Sequence, residues 1–93
     1  MIMHVVLMRF ADSADADEAV RLAKGLANQI PVVRRLVAGR TVVTTPNSYD
    51  VGLVVELDTM EDLQAYHHHP AHEAAATVFR AKRSAISSID LAV

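Results

Sequence analysis

The stretch that decides the fold of this chain is YDVGLVVELDTMEDLQAYHHHPAH, residues 49–72. Its first part alternates between apolar residues at the odd positions from 49 to 57 and mostly polar residues at the even positions, which is the pattern of a β-strand with two different faces. Thr59 and the aspartate three residues later have the spacing of a capping box, so a short helix is expected to begin there. Pro70 interrupts that helix and fits the first turn of a second helical piece that runs to about Arg83.

Three further strands and one further helix are predicted on either side of this stretch. Residues 2–10, IMHVVLMRF, are apolar on both faces, which predicts a strand that is covered on both sides. A helix with an acidic first turn is predicted from about residue 14 to residue 29, where the following proline ends it. Residues 32–45 favour a second strand that ends in the turn TPNS, and residues 84–93 favour the last strand.

The order strand, helix, strand, strand, broken helix, strand predicts an α+β fold with the ferredoxin-like split β-α-β arrangement, in which helices cover one face of a four-stranded antiparallel sheet. A chain of 93 residues has room for one core, so a single domain over residues 1–93 is expected. The other sheet face is left bare, and we assign to it the apolar row at odd positions 49–57. Leaving that row in water would cost several kcal/mol at about 25 cal/mol per Å², so two sheets are expected to pair face to face in a homodimer, forming a dimeric α+β barrel.

Composition narrows the classes of function. The chain is 52% hydrophobic and 22% charged, which suggests that a partner subunit covers part of its apolar surface. A net charge of −2, the lack of a long basic run and the absence of Trp argue against nucleic acid as a partner. The absence of Cys excludes disulfides and thiolate metal sites. The first ten residues lack a basic region and reach Arg9 too early for a signal peptide or membrane span, so we expect a soluble cytoplasmic protein with no membrane partner.

Four of the five histidines lie at positions 67, 68, 69 and 72, and this cluster has four possible explanations: a metal site, a proton-transfer site, a purification tag or a solvated helix end. Only His68 and His72 have the i, i+4 spacing of a chelating pair, and Pro70 breaks the helix between them. A metal site is therefore disfavoured, and no cofactor is predicted. The tag explanation fails because the run is internal and three residues long.

The other histidines are expected to have separate roles. His67 and His68 are expected at the surface, because neither has an obvious polar partner in the sequence. His69, just before a proline in the first turn of a helix, is expected to cap that helix. His4 stands among apolar neighbours on the first strand, where it is either a satisfied core histidine or, if it faces a cavity, a residue that lines the pocket.

His72 lies in the first turn of the second helical piece, where the helix dipole disfavours a charged imidazolium and keeps the ring neutral. A neutral imidazole can act as a general base, and Asp90 on the last strand is the carboxylate best placed by type to orient it. Asp90 fits a purely structural hydrogen bond as well. Tyr66, six residues before His72, either shares its cavity or is a packed core residue with a hydrogen bond to the backbone.

The chain resembles the stress-responsive A/B barrel domain family, abbreviated Dabb, which is a branch of the dimeric α+β barrels. The likeness extends over nearly the whole chain, and its segments are MHVVLMRF, YDVGLVVELDTMEDLQAYHHHPAH and SSIDLAV, of which DLQAY...HPAH is the specific part. The resemblance implies a homodimer whose two sheets face each other, with a pocket in each subunit between the sheet and the helices. A heme-degrading branch of the same architecture is disfavoured, because its characteristic tryptophan is absent.

The resemblance also implies a chemistry. The family includes plant polyketide cyclases, which close a linear polyketide by aldol condensation without a metal or an organic cofactor. In that branch the tyrosine and the last histidine of the motif carry the reaction, and they match Tyr66 and His72. The histidine of the first strand matches His4, and the aspartate of the terminal strand that steadies the catalytic imidazole matches Asp90.

Together these features predict a cofactor-independent enzyme or binding protein for a small carbonyl compound, with a lyase, cyclase or isomerase as the candidate enzyme classes. His72 would remove a proton next to the carbonyl, Asp90 would orient His72, Tyr66 would donate to the enolate oxygen, and His4 would line the pocket. Two alternatives stay open. One is a non-catalytic, stress-related protein that acts by oligomerisation, and the other is a small-molecule sensor that uses the pocket without the base.

Overall fold

A computed structural model describes residues 1–93 and contains four strands and three helices. The elements are β1 (Ile2–Phe10), α1 (Ser13–Gln29), β2 (Arg35–Arg40), β3 (Val51–Leu57), α2 (Met60–His68), α3 (Pro70–Lys82) and β4 (Arg83–Ala92). The strands form one antiparallel sheet in the order β2-β3-β1-β4, and the hydrophobic core lies between this sheet and the helices. The ferredoxin-like arrangement predicted from the sequence is confirmed.

Short polar side chains cap the N-termini of helices α1 and α2. Asp12 caps α1 by accepting the N–H of Ala14 at 2.8 Å, and Thr59 caps α2 by accepting the N–H of Asp62 at 3.1 Å. Each cap satisfies a backbone donor that the first helical turn leaves without a partner. None of the helices is both long enough and apolar enough to cross a membrane.

Strand β2 is shorter than the predicted strand over residues 32–45 at both ends, because residues 32–34 belong to the connection after α1 and residues 41–50 form a loop instead of continuing the strand. Local hydrogen bonds replace the strand ladder there: the hydroxyls of Thr41 and Ser48 both donate to the carbonyl of Val43, at 2.7 and 3.1 Å. Val42 is consequently 97% exposed despite its preference for strands. Side chains that satisfy the backbone locally compete with sheet formation, and here they override β-propensity.

The apolar row of β3 faces the core, so its assignment to the bare sheet face was wrong. Val51, Leu53, Val55 and Leu57 are each at most 3% exposed, and they share a sheet face with the even-numbered residues of β1. The helices cover this face because it is the more apolar of the two. Tyr49 precedes the strand and does not face the core with these residues. Its hydroxyl lies 2.7 Å from that of Ser87, a residue on the opposite sheet face.

The opposite sheet face is still apolar, although different residues carry it. Its side chains come from odd-numbered positions of β1 and from the other three strands, and no element of the chain covers them. Leu7, Val37, Ile89 and Leu91 are 37%, 50%, 55% and 41% exposed. We call this surface the open sheet face and define it by Val5, Leu7, Val37, Val54, Ile89 and Leu91.

Candidate functional site

A cavity of about 280 Å³ lies between strands β1 and β4 and helices α2 and α3. Half of its lining residues are apolar, among them Met8, Leu53 and Phe79. The apolar half also includes Tyr66, and the other half includes three of the five histidines. A partly open hollow that combines apolar walls with polar groups is a usual form of a small-molecule site.

His4 and Asp90 form the best-defined polar contact of this cavity. They are directly opposite each other on the antiparallel strands β1 and β4, and Nδ1 of His4 lies 2.5 Å from Oδ1 of Asp90. Because Asp90 is bonded to His4, the expectation that it orients His72 was wrong. Opposite residues on neighbouring strands place their side chains within about 5 Å of each other, whereas His72 reaches the cavity from helix α3.

The contact between His4 and Asp90 allows a stability test. His4 is 6% exposed, so Asp90→Ala would leave a buried ring nitrogen without its partner, and we expect a loss of about 1 to 3 kcal/mol in the free energy of unfolding measured with urea. Asp58→Ala is the matched control, because it removes the carboxylate of an exposed pair with Arg34, and it should cost less. Equal losses for the two variants would mean that the contact between His4 and Asp90 adds no more stability than the exposed pair.

His67 is a cavity residue whose position differs from the prediction. It was expected at the surface, but it is half-buried, lines the cavity and has its Nε2 atom 3.4 Å from Nε2 of His4. Burial lowers its pKa below the ordinary value, and the neighbouring His4 adds to that effect. A signal for this position existed, since His67 is four residues after Leu63, a core residue on the same helix face.

The neighbouring histidines of the run do not enter the cavity. His68 is exposed on the last turn of α2. His69 has an extended backbone that ends α2, and its Nδ1 atom accepts the N–H of Ala71 at 3.0 Å, which caps α3. Pro70 then occupies the first turn of α3, where its missing N–H costs no hydrogen bond.

Tyr66 and His72 meet across the junction between α2 and α3. Their ring centroids are 4.7 Å apart, and the His72 ring is also 5.2 Å from that of His67. Burial lowers the pKa of His72, and the nearby His67 ring lowers it further. The backbone carbonyl of His67 raises this pKa, but by less than burial lowers it. The Nδ1 atom of His72 is buried and makes no hydrogen bond of ordinary geometry. The imidazole is therefore held in its neutral form.

The phenol of Tyr66 keeps its proton, so it complements the imidazole of His72, which has none to spare on its accepting nitrogen. The side chain is fully buried, and burial raises the pKa of Tyr66 to about 12. Its ring centroid also lies 5.9 Å from that of His4. The wall of the cavity thus combines a neutral imidazole that can accept a proton with a phenol that can donate a hydrogen bond.

The three imidazoles in the cavity meet edge to face rather than converging on one point. The rings of His4 and His67 are nearly perpendicular, at 86°, and those of His67 and His72 meet at 66°. No group of three or more His, Asp or Glu residues in the structure has the arrangement of a metal-binding set. The geometry instead resembles a chain of imidazoles in contact, from Asp90 through His4 and His67 to His72.

Comparison with known proteins identifies the family of this chain. The family model described as Stress responsive A/B Barrel Domain matches residues 2–93. The chain is a member of this family. An uncharacterized protein of Streptomyces coelicolor is 31% identical over 85 residues, which are 86% of this chain and 88% of the relative. The family membership inferred from the DLQAY...HPAH motif is confirmed.

Solved structures with the same fold include a dimeric protein and an enzyme. A dimeric ferredoxin-like protein of Thermobifida fusca has a TM-score of 0.87 and 23% identity, covering 99% of this chain and 90% of its own. The hydroxynitrile lyase of Passiflora edulis has a TM-score of 0.85 and 13% identity, covering 99% of this chain and 92% of its own. At these identities the likeness to this A/B barrel protein shows the fold alone.

Proposed function

We propose that this protein catalyses proton transfer at the carbon next to the carbonyl group of a small molecule, without a cofactor. The observation that carries the proposal is the contact between His72 and Tyr66, whose rings are 4.7 Å apart on the wall of one cavity. His72 would take the proton from carbon, and the electrons of the broken C–H bond would become those of the enolate. Tyr66 would donate a hydrogen bond to the enolate oxygen, where negative charge develops.

His4, His67 and Asp90 are proposed to support this reaction through a series of side-chain contacts that ends at His72. The carboxylate of Asp90 orients the His4 ring, and Nε2 of His4 is 3.4 Å from Nε2 of His67. His67 in turn contacts His72 through its ring. A proton on His72 therefore has neighbouring imidazoles that can share it before it returns to the product.

Two likenesses support the reaction class. The motif residues that carry the cyclase reaction in the A/B barrel family correspond to Tyr66 and His72, the same pair that the structure brings into contact. The Passiflora edulis neighbour is a hydroxynitrile lyase, so a fold of this shape can host a lyase. Cyclase, lyase and isomerase reactions on carbonyl compounds share the step in which a proton is removed or returned.

We also propose that the protein is a homodimer that pairs through the open sheet face. This face carries Leu7, Val37, Ile89 and Leu91 without any covering element of the chain. The Thermobifida fusca neighbour is described as dimeric and has the same fold. Burying such a face against a second copy removes apolar surface from water in both subunits.

The direct test of proton transfer is deuterium exchange into a ketone. Acetophenone is incubated in D₂O with the protein, and the loss of its methyl proton signal is followed by NMR. We expect exchange faster than in a solution with the same total concentration of free imidazole, because the cavity positions base and hydrogen-bond donor together. Rates equal to those with free imidazole for acetophenone and a panel of aliphatic methyl ketones would contradict the proposal.

The pH dependence of the exchange rate should follow the shifted pKa values of His72 and Tyr66. The pKa of His72 lies below its ordinary value of 6.5, so the base loses activity only when the pH falls into that lower range. The pKa of Tyr66 is raised to about 12, so the phenol stays protonated and the rate should be level on the alkaline side of neutrality. A pH profile of the exchange rate checks both points, and an acid limb centred above pH 6.5 would contradict the assignment of His72 as base.

The same shift of His72 predicts how stability depends on pH. Below pH 6.5 the unfolded chain takes up a proton on this histidine more readily than the folded chain, because folding buries the ring. Stability is therefore expected to fall as the pH drops through 6.5 toward the lowered pKa. Urea unfolding on both sides of this pH measures the effect, and His72→Gln should reduce the slope.

A further inference from the structure

We propose that the ligand of this cavity carries a carboxylate as well as the carbonyl group, and that Arg80 and Arg83 bind the carboxylate. The inference rests on the proposed function for the position of the carbonyl, but its test is a binding measurement that does not need turnover. Arg80 lies on the last turns of α3, and Arg83 is the first residue of β4. Both line the same cavity as His72 and Tyr66.

The two arginines are available for a ligand because no carboxylate of the chain pairs with them. Two other arginines do have carboxylate partners: Arg34 bonds Asp58 at 2.6 Å, and Arg40 bonds Asp17 at 2.7 Å. Neither Arg80 nor Arg83 has a carboxylate oxygen within 4.0 Å, although Glu73 borders an adjoining groove next to Arg80.

The charge balance of the cavity points in the same direction. Two guanidinium groups line it against a single carboxylate, Asp90, and that carboxylate is already bonded to His4. The chain as a whole has a net charge of −2, so the cavity is a locally positive place on an acidic protein. A positive cavity with partly apolar walls concentrates small anions and strengthens their contacts with the protein.

The position of the arginines sets the shape of the ligand. Arg83 and Asp90 are seven positions apart on β4, or about 23 Å along an extended strand, so they lie at opposite ends of the cavity. Arg80 is eight residues beyond His72 on α3, or about 12 Å along the helix axis, and helical side chains lean back toward the N-terminus. The apolar residues Met8, Leu53 and Phe79 complete the lining.

An oxo acid with a short hydrocarbon spacer fits this arrangement. Its carbonyl would lie at His72 and Tyr66, its spacer against the apolar wall, and its carboxylate at the arginines. The planar fork of a guanidinium group matches the two oxygens of a carboxylate, which favours this anion over a neutral polar group. The cavity of about 280 Å³ limits the ligand to a small molecule.

The test compares 6-oxoheptanoate with its methyl ester, two ligands that differ in charge but share the methyl ketone and the spacer. Titration calorimetry of the full chain should show the acid binding at least about tenfold more tightly than the ester, because only the acid makes charge-assisted contacts. Arg80→Met should weaken binding of the acid by about tenfold and leave the ester unchanged. Arg21→Met is the matched control, because Arg21 is exposed on α1 and outside the cavity lining.

Arg83 needs a gentler change, since it is half-buried at the junction of α3 and β4. Arg83→Lys keeps the positive charge but removes the planar guanidinium group. It should therefore weaken binding of the acid, but less than Arg80→Met does. Because Arg80 is exposed, its replacement by Met should leave the fold intact, and the inference remains testable even if substitutions at Arg83 unfold the chain.

Several results would overturn the carboxylate assignment. These are equal binding of the acid and the ester, no saturable binding of the acid at millimolar concentrations, or displacement of the acid by an equal concentration of inorganic phosphate. Failure here is separable from failure of the proposed function. If the arginines bind no carboxylate, exchange of neutral ketones should persist; if His72 is not the base, His72→Gln should still bind 6-oxoheptanoate and still exchange acetophenone.

Discussion

His72→Gln is expected to lower the rate of deuterium exchange into a ketone by about 100- to 10,000-fold, the usual contribution of a positioned general base. Glutamine approximates the size of the imidazole but cannot accept the proton. The midpoint of thermal unfolding should stay within a few degrees of that of the natural chain, because Nδ1 of His72 makes no hydrogen bond of ordinary geometry that the substitution would break. Exchange by NMR and unfolding by circular dichroism measure the two effects on the same sample.

Three further variants make this result specific. His68→Gln, next to the site but exposed, should exchange at the rate of the natural chain. Tyr66→Phe removes the hydrogen bond to the enolate oxygen and should cost about 100- to 1,000-fold. Loss of exchange in His4→Gln together with full exchange in His72→Gln would place the base on the pair formed by His4 and Asp90 instead.

Leu7→Glu is expected to convert the proposed homodimer into a monomer. Leu7 is 37% exposed on the open sheet face, where the side chain of a single subunit meets water. A glutamate there remains hydrated in the monomer, but the dimer would have to bury its charge without a partner at a cost of several kcal/mol. Light scattering should give the mass of two chains for the natural protein and of one chain for the variant, at equal concentration.

Met60→Glu is the matched control for this experiment. Met60 is 56% exposed at the start of α2, on the helical side of the molecule, and a negative charge in the first turn of a helix is favourable. This variant should keep the mass of two chains. A natural protein that is monomeric, or a dimer that survives Leu7→Glu, would show that the open sheet face is not the dimer interface.

Much of the fold was predictable because local signals and the global arrangement agree. Strand β3 follows a clean alternation of apolar and polar residues, and α1 and α2 begin at capping side chains, Asp12 and Thr59. The break at Pro70 follows from the geometry of proline and of the residue before it. These features depend on residues close together in the chain, so the sequence contains their full cause.

The errors concern choices that strand propensity and apolar alternation do not make. Residues 41–45 have strand-forming side chains, yet hydrogen bonds from Thr41 and Ser48 hold them in a loop. The apolar row of β3 was recognised, but alternation reveals only that two faces differ and not which face the helices cover. The first choice is made by local side-chain hydrogen bonds that compete with the sheet, and the second by packing between elements that are distant in the chain.

The candidate site divides in the same way. Residue types and the family motif were enough to single out Tyr66, His72, His4 and Asp90, and all four line one cavity. Their contact partners depend on the three-dimensional packing. The antiparallel register of β1 and β4 joins Asp90 to His4 rather than to His72, and the packing of α2 on the sheet brings His67 inward. Register and burial arise from contacts across the whole chain, and those contacts set the protonation of His72 as well.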